Sequence, residues 1–213
     1  MISDEFVALP TVQRVERFRG GIMALRSDDV DFDGDVHTRD YVLHFGAVAV
    51  LAVDEFDRVL LIKQYRHPVA ARLWEIPAGL LDHRDEDALT AAQRELAEET
   101  GFLASTWNTL IDYAASPGGS TDVLRVFLAR DLQAMPERPL TGEAEERDLE
   151  QRFVTFEELY DAILTGAVGN TALVAGGMAA FVARQQSWAG LRPADAPWPL
   201  REHLVANDRV FDR

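Results

Sequence analysis

The chain has no cysteine, so it can build neither a disulfide framework nor a thiolate metal site. No uninterrupted apolar run approaches the roughly 20 residues that span a bilayer. The opening stretch, MISDEFVALP, is acidic and lacks the basic-then-apolar pattern of a secretory signal. These absences lead to the expectation of a cytoplasmic protein. Bases are also scarce: 21 Lys and Arg stand against 36 Asp and Glu, a formal net charge of −15. Non-specific binding to nucleic acid or to an anionic membrane needs a basic face, so neither is expected as a partner. Much of the charge serves solubility. An anionic substrate would need a divalent cation or local arginines to work against this field.

What is present suits one domain with a full core and an extra arm: 213 residues, 47% of them hydrophobic. DDVDFDGDVHTRDYVLHF (28–45) alternates apolar and polar residues around Asp33-Gly34, which predicts a hairpin. AVAVLAV (47–53) reads as a strand buried on both faces. Further strands are predicted at 59–66, at LWEIPAG (73–79), at 107–115, at 123–130 and at 152–156. Thr155 and Glu158 form a capping box before a helix, and a last helix is expected over 171–185. The tail from 187 carries three prolines and two tryptophans and is expected to be irregular. This order predicts a mixed-sheet α/β (α+β) sandwich preceded by an N-terminal β arm. The expected divisions are an arm at 1–45, a catalytic domain at 46–186 and a tail at 187–213.

The densest chemistry lies in GLLDHRDEDALTAAQRELAEETGF (79–102), where Glu95, Glu98 and Glu99 crowd into five positions. The stretch predicts a helix capped by Asp85 or Asp87 and ended by Gly101. At 3.6 residues per turn the three glutamates project within about 100° of one another. Ala88, Ala92 and Leu96 lie near the same arc, so the carboxylates border the buried face. Partly buried like charges with no lysine among them are costly, and a divalent cation would remove the cost. Hard oxygen donors without cysteine favour Mg²⁺ or Mn²⁺ over Zn²⁺. Arg94 can pair with Glu98 at i,i+4.

Gly79, Glu86, Arg94-Glu95-Leu96, Glu98-Glu99 and Gly101-Phe102 resemble the Nudix box, the signature of Nudix hydrolases. One departure stands out: six residues rather than five separate Gly79 from Glu86, and Asp85 occupies the strict spacing. Either Asp85 or Glu86 is the acid of this loop. Outside the box, QYRHPVAARLWEIPAGLLD (64–82) and AASPGGSTD (114–122) resemble the ADP-ribose pyrophosphatase branch. The resemblance covers roughly residues 39–175.

It implies that Glu95, Glu99 and the carbonyl of Ala78 bind Mg²⁺, with Glu98 a further ligand or a support. The implied activity is Mg²⁺-dependent hydrolysis of the pyrophosphate bond of ADP-ribose to AMP and ribose 5-phosphate. The catalytic base is implied to lie on an acidic loop matching GEAEERDLE (142–150), with Glu146 the first choice and Glu145 the second. Arg66, Arg39, Gly118, Gly119 and Asp122 are implied on the substrate, with Asp122 standing where relatives often have Glu. The arm is implied to cross to the partner subunit of a homodimer. Trp74 reads as core rather than as an adenine platform. The alternatives are another nucleotide sugar or NADH as substrate, or a Nudix ligand sensor that does not cleave. The intact carboxylates argue against the sensor.

Overall fold

The computed structural model describes residues 2–83, 85–139 and 149–212, which form two compact units. The first unit comprises 1–47, 113–123 and 197–213; the second comprises 48–112 and 124–196. The first unit is built on three antiparallel strands in the order β1-β2-β3: β1 (Thr11–Arg19), β2 (Ala24–Phe32) and β3 (Asp35–Leu43). The predicted hairpin is the β2–β3 pair. Asp33 (φ 56°) and Gly34 (φ 99°) are both left-handed, as a two-residue turn with the right twist demands. β1 was not legible in the sequence. It pairs on one side only and is exposed almost throughout, so TVQRVERFR carries no inward-outward alternation.

Most of the remaining elements belong to the second unit. A five-stranded mixed sheet has the order β11-β8-β9-β4-β7. Its strands are β4 (Ala47–Ala52), β7 (Ala78–Leu80), β8 (Phe102–Ala114), β9 (Val123–Ala134) and β11 (Arg192–Pro193). A three-stranded antiparallel sheet orders β10 (Glu150–Thr155), β5 (Arg58–Arg66) and β6 (Ala71–Glu75). The run Val48–Val53 is buried as predicted, and Val126–Ala129 are fully buried beside it in the sheet. LWEIPAG is not one strand but two. Pro77 has no N–H to donate, and its carbonyl accepts the Val50 N–H at 2.8 Å. The chain thus leaves β6 in one sheet and enters β7 in the other, which sets β7 beneath a helix.

That helix is α1 (Ala88–Thr100), which packs on β7. α2 (Phe156–Leu164), capped by Thr155 as predicted, packs on β10 and on α3 (Thr171–Gln185). The mixed-sheet sandwich with an antiparallel N-terminal arm is therefore the observed fold. The tail corrects one expectation: residues 199–206 form a helix, α4 (Pro199–Ala206). Its proline occupies the first helical turn, where the missing N–H is not needed and the fixed φ is already helical. Within the first unit, Trp198 and Phe211 are buried, and Phe211 stacks edge-on against Phe45 at 4.7 Å. No helix among the described residues is long and apolar enough to cross a membrane.

Candidate active site

The register of α1 is fixed at both ends. Asp87 caps it, accepting the Leu89 and Thr90 N–H groups at 3.0 and 2.9 Å. The Thr90 N–H above all holds the Asp87 carboxyl below the usual range. Gly101 (φ 74°) closes the helix with its N–H on the Ala97 carbonyl. Between these caps Glu95 and Glu99 are buried, at 8% and 3% exposure, and Glu98 is half-buried.

Arg94 binds three carboxylates. It forks onto Glu86 with two 2.9 Å bonds and reaches Glu95 at 2.6 Å and Glu98 at 3.1 Å. The choice between Asp85 and Glu86 thereby resolves to Glu86 as the acid paired to the helix. The Arg94 bonds hold the Glu86 carboxyl below the ordinary range, and the Arg94 guanidinium is held protonated above its own, first of all by Glu86.

β7 lies against the other side of the cluster. The Ala78 N–H donates to Glu99 Oε2 at 2.9 Å. A Cβ added to Gly79 would stand 2.0 Å from Glu95 Oε1, so only glycine lets the strand pass this carboxylate. Three carboxylates, Glu86, Glu95 and Glu98, thus bond one arginine, and Glu99 lies a turn beyond Glu95 on the same helix. Glu95 and Glu99 are buried beside the Ala78–Gly79 backbone. Among the described residues no three acidic or histidine side chains converge as a ready-made cage. Mg²⁺ does not require one: it is held by one or two carboxylates, with water and substrate phosphate completing the shell. Hard oxygen donors beside a backbone edge fit such a cation.

Arg66, at the end of β5, forks onto Glu75 of β6, with Nε to Oε1 at 2.9 Å and Nη2 to Oε2 at 2.6 Å. Glu75 is 1% exposed whereas the Arg66 side chain is 41% exposed, so a buried carboxylate aims a half-exposed cation. Sequence reasoning gave Glu75 no role. The available signal was a lone Glu inside an apolar run, because a carboxylate buried there must be paired. Trp74 is half-buried, with Lys63 Nζ 5.0 Å from its ring.

In the first unit Arg39, Gly118 and Gly119 come together. They line a cavity of about 320 Å³ with Tyr41, Leu200, Leu204 and Arg209. The loop is tied to β3 by the Val42 N–H on the Gly119 carbonyl and the Thr121 N–H on the Val42 carbonyl, both 2.9 Å. Asp122 is not part of this lining. Its Oδ1 lies 2.9 Å from His44 Nδ1, the nitrogen that also accepts the Gly46 N–H. The nearby Tyr113 hydroxyl is pushed up to about 12 by burial and then by the charge of Asp122. Glu145 and Glu146 lie outside the described residues.

Known proteins share this plan. The chain is 41% identical over 192 residues to the ADP-ribose pyrophosphatase of Mycobacterium tuberculosis, covering 90% of this chain and 91% of that protein. It is 36% identical over 160 residues to the ADP-ribose pyrophosphatase of Bacillus subtilis, covering 71% and 86%. A crystal structure of an ADP compounds hydrolase shares the fold with a TM-score of 0.71 at 20% identity, over 88% of this chain and 99% of that one. The NUDIX domain model matches residues 43–175, which hold the whole α1 cluster, its β7 backstop and the Arg66–Glu75 fork. With more than half its length matched to that domain, the chain belongs to the Nudix family.

Proposed function

We propose that the protein hydrolyses the pyrophosphate bond of ADP-ribose, with Mg²⁺, to AMP and ribose 5-phosphate. The observation that carries this reading is the carboxylate group on α1 packed against the Ala78–Gly79 backbone. The substrate is supported by the relatives that bear the name ADP-ribose pyrophosphatase. In this reading Glu95, Glu99 and the Ala78 carbonyl hold the cation, with Glu98 beside them. Mn²⁺ suits the same donors. The bound cation supplies Lewis-acid neutralisation of phosphate charge. A water oxygen bonds to one phosphorus, the bridging P–O bond breaks, and the water proton passes to a carboxylate. Glu146 is the first candidate for that base, then Glu145, then Glu98. Arg66, aimed by Glu75, meets the anionic substrate with a forked cation.

The reading includes a homodimer. Phe18 and Leu25 face each other across β1 and β2 and are 59% and 38% exposed, and Val36 is half exposed. An apolar surface of this kind on a three-stranded sheet is suited to a second copy. It also places the enzyme in the cytoplasm, in keeping with a chain free of cysteine.

The test is to incubate the pure protein with Mg²⁺ and a panel of ADP-ribose, NADH, nucleotide sugars and dNTPs, and to identify the products. Release of AMP and ribose 5-phosphate foremost from ADP-ribose is expected. Stronger cleavage of another substrate overturns the substrate, and activity in excess chelator overturns the metal. Light scattering tests the dimer: a monomer at micromolar concentration removes it.

A further inference from the structure

The last four carbonyls of an α-helix find no partner within it. In α1 they belong to Ala97, Glu98, Glu99 and Thr100, and each is met from beyond the helix. The Gly101 N–H donates to the first at 2.9 Å. Arg138 Nε donates to the second at 2.5 Å. Gln151 Nε2 donates to the other two at 3.1 and 3.2 Å. Arg138 lies 40 residues from Glu98, and Gln151 lies 52 from Glu99. One follows β9 and the other sits in β10. The chain leaving β9 is fastened to the same helix end by the Met135 N–H on the Gly101 carbonyl at 2.8 Å.

This end of a helix is a poor place for acids. Its aligned carbonyl dipoles favour a cation and repel a carboxylate. α1 has no basic residue in its last turn, yet Glu98 and Glu99 stand close to that end. Arg138 brings the cation from a distant part of the chain. Each glutamate is then held at two points. Glu99 has its carboxylate on the Ala78 N–H and its carbonyl on Gln151. Glu98 has its carboxylate on Arg94 and its carbonyl on Arg138. Ending the helix does not require this. Gly101 already closes it, and Gln151 is exposed, so water could satisfy the same carbonyls. Arg138 and Gln151 also stand on either side, in sequence, of Glu145 and Glu146. The helix end beside Glu98 and Glu99 therefore anchors the chain both before and after the candidate bases.

We propose that Arg138 and Gln151 are positioning residues for the hydrolytic site. They fix the C-terminal turn of α1 and so set where the Glu98 and Glu99 carboxylates meet a divalent cation. The inference rests on the reading of these glutamates as metal-binding groups.

The experiment is calorimetric titration of the full chain with Mn²⁺, run beside ADP-ribose turnover. Wild type, Arg138→Met, Gln151→Met and Arg138→Lys are compared. Gln151 is exposed and Arg138 half-buried, so the variants should fold; melting without metal checks this. Both methionine variants are expected to weaken Mn²⁺ binding about tenfold or more, the scale for residues that orient metal ligands. They should also lower kcat more than they raise KM for ADP-ribose. Arg138→Lys keeps a cation at the helix end and should recover part of the loss. A residue that only stabilised the fold would lower the melting temperature and leave Mn²⁺ affinity where it was. Mn²⁺ affinity within about twofold of wild type in both methionine variants, or no Mn²⁺ binding to wild type, thus overturns the proposal. A chain whose Mn²⁺ affinity depends on Arg138 and Gln151 but which leaves ADP-ribose intact overturns the hydrolase reading and keeps the positioning role. Normal hydrolysis with Mn²⁺ affinity unmoved in both variants overturns the positioning role alone.

Discussion

Two charge clusters, one in each unit, use the same residue types in opposite proportion. On α1 a single cation, Arg94, bonds Glu86, Glu95 and Glu98, and the buried Glu99 lies a turn beyond Glu95. On the N-terminal sheet a single buried carboxylate, Asp28, collects Arg14 through both Nε and Nη2, the Tyr41 hydroxyl, and Arg209. Asp208 adds a second acid there and accepts from Arg14 and Arg26. The second cluster is saturated with donors and joins the arm to the C-terminal segment within one unit. In the first, three carboxylates share one guanidinium. Burying a carboxylate is tolerable when its lone pairs are filled by cations and donors, and costly when they are not. A balanced cluster can be explained by folding alone. Several carboxylates gathered on one helix beside a backbone edge are hard oxygen donors suited to a divalent cation as well.

The largest expected effect comes from breaking the balanced cluster. Asp28→Ala removes a fully buried carboxylate and leaves Arg14, Arg209 and Tyr41 without their common acceptor. Removing one partner of a buried ion pair costs about 3–5 kcal/mol. Chemical denaturation should show that loss, and adding Mg²⁺ should not restore it. A loss below about 1 kcal/mol, the range of exposed ion pairs, would mean that the cluster is not what joins these segments.

Glu99→Gln acts on the other side of the comparison. The change keeps shape and removes one of the clustered negative charges. Turnover of ADP-ribose should fall about 10²–10³-fold or more, the scale for losing a main transition-state stabiliser. Without metal the melting temperature should hold or rise, because repulsion from Glu95 and Glu98 is relieved. Wild type should be stabilised by Mg²⁺ through mass action and the variant much less. Wild-type turnover in Glu99→Gln at saturating Mg²⁺ would sink the ligand assignment. In the same assay Glu75→Gln is expected to raise KM about 10–100-fold, more than it lowers kcat, since it releases Arg66 from its charged fork. Arg66→Lys should behave alike, because lysine cannot form the fork. Equal falls in kcat and kcat/KM would place Arg66 at the reacting phosphates instead.

Legibility divided along similar lines. α1 was readable because its caps, its period and its clustered acids all lie within one short stretch, so local rules sufficed. The Asp33-Gly34 hairpin was readable for the same reason. The Arg94 pairing was half readable: Glu98 stands four residues on, but Glu86 lies eight residues back, before the helix begins. Glu75 was not assigned because its meaning depends on β6 pairing beside β5, which no local pattern records. The Asp28 cluster was invisible, since the partners of Asp28 lie 13 to 181 residues from it in the chain. α4 was misread because prolines were taken only as breakers. Lys63 is the only lysine, so nearly every ion pair rests on arginine, and a count of charges cannot say which forks close.

The smallest effect tests whether the α1 cluster depends on its helix being held in register. Asp87 caps α1 with two backbone bonds and a 2.8 Å bond from the Thr90 hydroxyl. Asp87→Ala should cost about 1 kcal/mol, typical of a lost N-cap. Asp87→Asn should cost less, because asparagine caps equally well. The two variants separate geometry from charge through pH. The folded-state pKa of Asp87 lies below its unfolded value, mainly through the Thr90 N–H. Its contribution is therefore complete above the unfolded pKa of about 3.9 and lost as pH falls through the lower folded value. Glu86 behaves the same way through Arg94, so wild type should lose stability on acidification from both groups. Asp87→Asn should flatten the part of that slope due to the cap and leave the part due to Glu86, while Glu86→Gln should do the converse. Identical acid profiles for wild type and Asp87→Asn would show that the cap is geometric only. The acid sensitivity of α1 would then belong to Arg94 and its carboxylates.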